Sequence, residues 1–222
     1  MIDPRPARLP ERVRLAGRTV TIEPLDPDVH GDALWPKLGG AANAALWEFM
    51  HYGPFADRSA FNAYLQERAA AEDPLCFAIV DAASSQASGL CTLMRITPRD
   101  RVIEVGGIVF STTLQRTRAA TEAMYLLARY VFGNLNNRRY EWKCNAANAA
   151  SRRAALRLGF VYEGTFRQHQ IVKGRNRDTA WFSMLDSEWP KRKAAFERWL
   201  DPSNFDVSGR QRLSLSVLNH DG

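Results

Sequence analysis

The stretch 139–160, RYEWKCNAANAASRRAALRLGF, constrains the fold more than any other part of the chain. Residues 139–145 read as a strand. Asn148 is then a good helix N-cap, the residues after it are rich in Ala, Leu and Arg, and Gly159 supplies the left-handed residue that closes a helix. Phe160 opens a new extended stretch. Upstream, LQRTRAATEA (residues 114–123) follows another strand-like run and begins a second helix. Two strand-to-helix passages this close in sequence call for a sheet with helices packed on it.

The rest of the chain supplies the other layers. After an Arg/Pro-rich lead, residues 18–24 read as a strand with Val20 and Ile22 on one face. Two helical stretches follow: 32–50, interrupted near Pro36 and the Gly39-Gly40 pair, and a second that starts at an Asp57 cap and carries Phe61, Tyr64, Leu65 and Arg68 at helical spacing. Asp73-Pro74 stops it. Three strands in series, 75–80, 89–96 and 102–110, have turn-rich links that suit antiparallel hairpins. A helix over 117–132 carries Ala120, Ala123/Met124, Leu127 and Val131 as its apolar stripe and ends at Gly133. Residues 160–172 and 179–185 read as strands joined by a charged turn, 173–178. An amphipathic helix over 187–200, with Trp189, Phe196 and Trp199/Leu200 on one face, precedes a polar tail. This order predicts an α/β (α+β) fold: a mixed, mostly antiparallel sheet with helices on both faces and a C-terminal helical extension. The expected division is a lead (1–12), one domain (13–186) and the extension (187–222).

At 222 residues with formal net charge +6, the chain can bury one full core. The N-terminal MIDPRPARLPERV has no apolar signal region, and no run approaches the roughly 18 apolar residues of a spanning helix. A cytoplasmic protein without a membrane partner is expected. Cys76, Cys91 and Cys144 are odd in number, without CxxC spacing, and each lies in an apolar or strand-like run, which suits reduced core residues. The four histidines lack ligand spacing such as HExxH, so no catalytic metal is expected. Positive charge concentrates late: between 138 and 177 the only acids among many bases are Glu141 and Glu163. Such a field attracts the phosphates of a small molecule or of nucleic acid.

The element order, with QRTRAATEA and NAASRRAALRLGF in this sequence and separation, resembles the GNAT superfamily of N-acetyltransferases, in particular its RimJ/RimL-like (ribosomal-protein acetyltransferase) branch, over about residues 13–189. The resemblance implies acetyl-CoA as co-substrate. Its pyrophosphate would be received at the helix start formed by Gln115, Arg116, Thr117, Arg118, Ala119, Ala120 and Thr121, where free N–H groups and the positive dipole end coincide. The family's loop runs Q/R-x-x-G-x-G/A, and Arg118 stands here at the first glycine. An arginine suits that position only if its side chain turns away or itself contacts phosphate. Gly106 and Gly107 lie mid-strand, where glycine marks a bulge or a close approach. The resemblance implies that this strand splays from its neighbour and that the backbone of Ile108, Val109 and Phe110 pairs with the pantetheine arm. Asn148 is expected on the same arm, and Arg152 and Arg153 at the nucleotide end.

Amine acetylation needs a base, a donor to the carbonyl and a proton for the departing thiolate. Glu104, flanked by Val102, Ile103 and Val105, is expected to be desolvated, with a raised pKa suited to a general base; the competing reading is a buried acid neutralised by an arginine. Many GNAT enzymes place a tyrosine four residues before the glycine of LGF, and that position is Ala155 here. RimL-like members place a serine near the sulfur, which implies Ser151 as proton donor or thiolate stabiliser, while the competing role of Asn148 and Ser151 is capping. Tyr162 is the reserve acid. For the acceptor, Trp47 and Tyr52 lie in an aromatic-rich turn and Arg167 and His169 on the closing hairpin, with core packing the competing role. The expected function is acetyl transfer to a primary amine by direct attack in a ternary complex. The acceptor would be a protein or peptide α-amine, such as a ribosomal protein's N-terminus, an amino acid or a small amine. The alternative is a non-catalytic basic module bound to nucleic acid or the ribosome, which Arg118 favours. The C-terminal helix would cover the core or form a homodimer.

Overall fold

A computed structural model describes residues 4–220, and its centre is one eight-stranded sheet. The strands are β1 (Leu15–Ala16), β2 (Val20–Pro24), β3 (Leu75–Asp81), β4 (Ala87–Thr97), β5 (Val102–Phe110), β6 (Arg139–Asn145), β7 (Val161–Val172) and β8 (Arg175–Leu185), in spatial order β1-β2-β3-β4-β5-β6-β8-β7. Every adjacent pair is antiparallel except β5 and β6. A parallel pair cannot be joined by a tight turn, and the crossover is α3 (Arg118–Arg129), extended by a π turn over Tyr130–Asn134.

Each face is covered by its own apolar cluster. α1 (Pro27–Leu38) and α2 (Arg58–Ala70) pack Leu34, Leu38, Phe61 and Leu65 on Cys76, Ala78, Leu90 and Val109. On the other face lie α3, α4 (Ala149–Arg157), α5 (Trp189–Leu200) and α6 (Leu215–His220), packed on Phe77, Ile79, Ile103, Tyr140 and Phe182. The first of these clusters spans β3, β4 and one side of β5 only. Among the described residues no helix covers the same face over β6, β8 and β7, where Glu141 pairs with Lys143 and Lys143 lies over Trp181.

Several boundaries differ from the sequence reading for identifiable reasons. α1 starts at Pro27, not 32, because Asp26 accepts from the N–H groups of Asp28 and Val29 and Pro27 takes the first helical position. Pro36 does not interrupt it. β8 begins at Arg175, since Lys173 and Gly174, with φ of 50° and 71°, form a two-residue hairpin turn in place of the longer link expected. The segment after Leu200 is not a free tail. It makes a 3-10 turn over Pro202–Asn204, a bridge between Phe205 and Gln211, and α6, whose Leu215 and Leu218 join the core.

Around α4 the expectation and the structure coincide. The Asn148 side chain accepts from the Ser151 N–H at 3.0 Å. At the other end Gly159 has φ 94°, its N–H reaches the Leu156 carbonyl, and the Phe160 N–H reaches that of Ala155. That pair of bonds is a Schellman closure, which needs a left-handed residue.

Candidate active site

β5 and β6 stay paired only from Val102↔Arg139 to Val105↔Trp142. Beyond this point they diverge, because Gly107 takes φ 56° and the β4–β5 register shifts by a residue between Leu90 and Thr92. A Cβ at Gly107 would come within 2.9 Å of the Thr92 side chain. The gap opens a cleft of about 1420 Å³, lined by the free edge of β5, the starts of α3 and α4, β6, the 49–52 turn, α2 and the C-terminal segment.

One end of the cleft suits phosphates. Thr117 caps α3, its hydroxyl accepting from the Ala120 N–H at 3.1 Å. The N–H groups of Arg118 and Ala119 have no acceptor among the described residues. Arg118 is anchored on the C-terminal segment, its guanidinium carbon 4.1 Å over the Phe205 ring, so it need not cover the helix start. Arg116, Arg153 and Arg157 line the same end. Arg157, which sequence reading counted among the late bases without giving it a site role, donates to Thr121 Oγ1 at 3.0 Å and lies 4.9 Å over the Trp199 ring. Its place four residues after Arg153, on one helix face, was the available signal.

At the bottom of the splay sits Glu104, 3% exposed. Of the two readings, a desolvated carboxyl and a buried acid neutralised by an arginine, the contacts match the second. Oε2 accepts from Arg95 Nη1 at 2.6 Å and lies 2.9 Å from Lys143 Nζ, which also reaches Glu141 Oε2 at 2.7 Å and stands 3.9 Å over the Trp181 ring. Burial alone would raise Glu141, but the bonds from Lys143 and Arg139 outweigh it and hold its pKa below the ordinary value. Glu104 Oε1 has no hydrogen-bond partner among the described residues and lies 3.5 Å from where a Cβ on Gly106 would be.

On the other wall, Ser151 Oγ accepts from Trp142 Nε1 at 3.0 Å. Burial pushes the Cys144 thiol pKa up. Gln115, Arg116, Thr117, Arg118, Ala120, Thr121, Ile108, Phe110, Asn148, Ser151, Arg153, Glu104 and Tyr52 all line the cleft.

Other expected residues lie elsewhere. Val109 turns its side chain into the core under α1 and α2, and Ala119 is not in the lining. Trp47 is fully buried, its Nε1 donating to the Leu38 carbonyl at 2.7 Å, so packing decides its role. Arg152 points to Tyr162, 5.7 Å from its ring. Tyr162 is exposed on the edge strand, bonded to Thr165, and does not reach the cleft. Arg167 and His169 line a separate depression of about 770 Å³ with Phe166, Gln168, Asn176 and Asp178. Alternation alone could not place these residues, because β7 is shifted in register against β8 at two points.

The end of the cleft at the 49–52 turn contains residues to which sequence reading gave no site role. Arg68 of α2 lies 4.7 Å over the Tyr52 ring and pairs with Glu67. Arg177 of β8 approaches His51 Nε2 at 2.9 Å and Gln170 Oε1 at 3.0 Å. Burial, then the Arg177 charge, holds His51 below the ordinary imidazole value of 6.5. A histidine whose folded-state pKa is depressed leaves stability intact above about pH 6.5; below it the unfolded chain binds more protons and stability falls. The melting temperature should therefore drop between pH 7.5 and 5.5, and His51→Gln should flatten that part of the profile. Parallel profiles for the two proteins would rule this out.

No group of three or more His, Cys, Asp or Glu among the described residues could hold a metal, and no helix there is long and apolar enough to cross a membrane. The sequence model of the acetyltransferase (GNAT) domain matches residues 20–161. A solved GCN5-related N-acetyltransferase from Brucella melitensis is 46% identical, covers 97% of each chain and superposes with a TM-score of 0.94. A Chromobacterium violaceum structure described as a GNAT-family acetyltransferase is 42% identical over 84% of this chain and 92% of that one, with a TM-score of 0.78. A Vibrio cholerae structure described as a ribosomal-protein-serine acetyltransferase shares the fold at 15% identity, over 78% of this chain and 97% of that one, with a TM-score of 0.66. No curated protein matches the chain.

Proposed function

The chain belongs to the GNAT family of acetyltransferases, and from that premise we propose that it moves an acetyl group from acetyl-CoA to a primary amine by direct attack in a ternary complex. The observation that carries this reading is the end of β5–β6 pairing at Val105 and Trp142, beside a helix start with unpaired N–H groups. Acetyl-CoA supplies the activated acetyl group. The residues present suit it: the N–H groups of Arg118 and Ala119 and the cations Arg116, Arg153 and Arg157 for its phosphates, and, for its arm, the edge of Gly106–Phe110 that pairs with β4 but not with β6.

Glu104 Oε1, free of protein partners, is the acceptor we assign for the amine's proton, directly or through water, while Arg95 and Lys143 fix the carboxylate through Oε2. Ser151, with its oxygen held by Trp142, keeps its hydroxyl proton free to donate toward the leaving thiolate. A serine here, with Ala155 where relatives use tyrosine, also supports the RimJ/RimL-like branch, with a protein or peptide α-amine among the acceptors. A non-catalytic role is not favoured: Arg118, which argued for it, has its side chain engaged by Phe205.

Thiol release from acetyl-CoA across an amine panel tests the reading. Ser151→Ala should lower kcat by about a hundredfold, the lower end for a general acid, with acetyl-CoA affinity by calorimetry retained. Equal turnover would remove the serine from the mechanism, and no release with no binding would remove the reading itself.

A further inference from the structure

Four cations stand at the acceptor end of the cleft: Arg68, Arg95, Lys143 and Arg177. Three of them have a carboxylate partner: Glu67 for Arg68, Glu104 for Arg95, and Glu104 with Glu141 for Lys143. Arg177 has none among the described residues. It is only 8% exposed, and its bonds go to the His51 ring and the Gln170 amide, both uncharged when His51 is neutral. A buried guanidinium bonded to neutral groups alone is costly, because neither solvent nor a carboxylate in contact compensates its desolvation.

A second observation points the same way. Of the buried side-chain polar atoms without a hydrogen-bond partner among the described residues, Arg177 Nε, Arg68 Nε and Thr92 Oγ1 all belong to the lining of this cleft. Unsatisfied buried donors are rare in folded proteins, and several in one cavity mark groups awaiting a ligand. Both unpaired nitrogens can only donate. They call for an acceptor atom, and beside an uncompensated guanidinium that atom belongs to an anion.

Arg177 is also close to the chemistry. It is within electrostatic range of Glu104 and Cys144. Together with Arg95 it leaves the region around Glu104 positive outside that carboxylate. Such surroundings disfavour a polyamine or a plain alkylamine, whose ammonium would meet like charge.

We propose that the acceptor carries a carboxylate close to its reactive amine and that Arg177 binds this carboxylate, with Arg68 and Thr92 completing the subsite. The planar fork of arginine suits a carboxylate bidentately, so the amine is oriented as well as attracted. The substrate class is therefore an amino acid, or a peptide whose N-terminal residue is acidic. This inference rests on the acyl-transfer reading above.

The test uses the full chain, acetyl-CoA and matched acceptors: a free amino acid, its carboxamide, its decarboxylated amine, and peptides beginning with Glu or Gln. Wild type should turn over carboxylate-bearing acceptors with kcat/KM at least tenfold above their neutral partners. The free-acid and Glu-peptide arms tell the two carboxylate sources apart. Arg177→Gln should bring that ratio near one, and Arg177→Lys, which keeps the charge without the fork, should retain part of it. Acetyl-CoA affinity by calorimetry should be unchanged in both. Equal rates for each matched pair in wild type would overturn the proposal, as would a ratio that survives Arg177→Gln, or release from no amine while acetyl-CoA binds. Release from no amine together with no acetyl-CoA binding would overturn the acyl-transfer reading as well.

Discussion

A chain ended after Asp201 should melt about 10 °C below the full-length protein and bind acetyl-CoA more weakly. Leu215 is fully buried and Leu218 nearly so, both in the cluster under α3 and α5. Losing two such side chains removes about 4 kcal/mol at roughly 1.5–3 kcal/mol each, a large part of the ~5–15 kcal/mol that holds a domain folded. At about 2–4 °C per kcal/mol for a chain of this size, the shift is of the order stated. The segment is also tied by polar bonds: Trp199 Nε1 donates to Gln211 at 2.8 Å, Asn219 donates to the Arg157 carbonyl at 3.0 Å, and Arg192 donates to the Asn219 carbonyl at 2.7 Å. The affinity loss follows because Phe205, Gly209, Gln211, Ser216 and His220 line the cleft, and Arg118 would lose the ring it lies on. Thermal denaturation and calorimetry check the two parts separately. An unchanged melting point would mean that α6 is not part of the core.

Glu104→Gln should cost both stability and turnover. The substitution leaves Lys143 and Arg95 without the negative charge they share, and breaking a buried pair costs about 3–5 kcal/mol. The lower end is expected, since Lys143, itself largely buried, keeps Glu141. If Oε1 takes the amine's proton, kcat should also fall by about a hundredfold or more, and the fall should shrink at high pH, where the free amine is already deprotonated. A lower melting temperature with kcat unchanged would leave Glu104 a structural acid and end its catalytic role.

How much of this was legible in the sequence differs from one residue to the next. The α4 segment was readable because everything that bounds it is local: Asn148 caps, Gly159 closes, and both act within four residues. Thr117 and the antiparallel hairpins from β3 to β5 were readable for the same reason. The burial of Glu104 was readable from its apolar neighbours. Neutralisation by an arginine was one of two open readings, and which cations would supply it was not legible, because Arg95 arrives from β4 and Lys143 from β6, across separate strand pairings. The tail misled because a handful of apolar residues in a polar stretch carries no periodic signal, yet Leu215 and Leu218 suffice once α5 offers a surface.

The acceptor end was the least legible. Arg68, His51 and Arg177 are spread over more than 120 residues of sequence, and none belongs to a motif. Tyr162 and Arg152 sit one or a few residues from true cleft positions, yet the pitch of one helix and the pleat of one strand turn them outward. By itself the sequence determined what short-range physics controls: caps, closures, strand and helix order, and hence the family's fold. Only the tertiary structure decided which charges meet. It left Arg177 buried without a carboxylate while Glu104 has two cations, since ion pairing depends on distances that the chain sets only after it has closed.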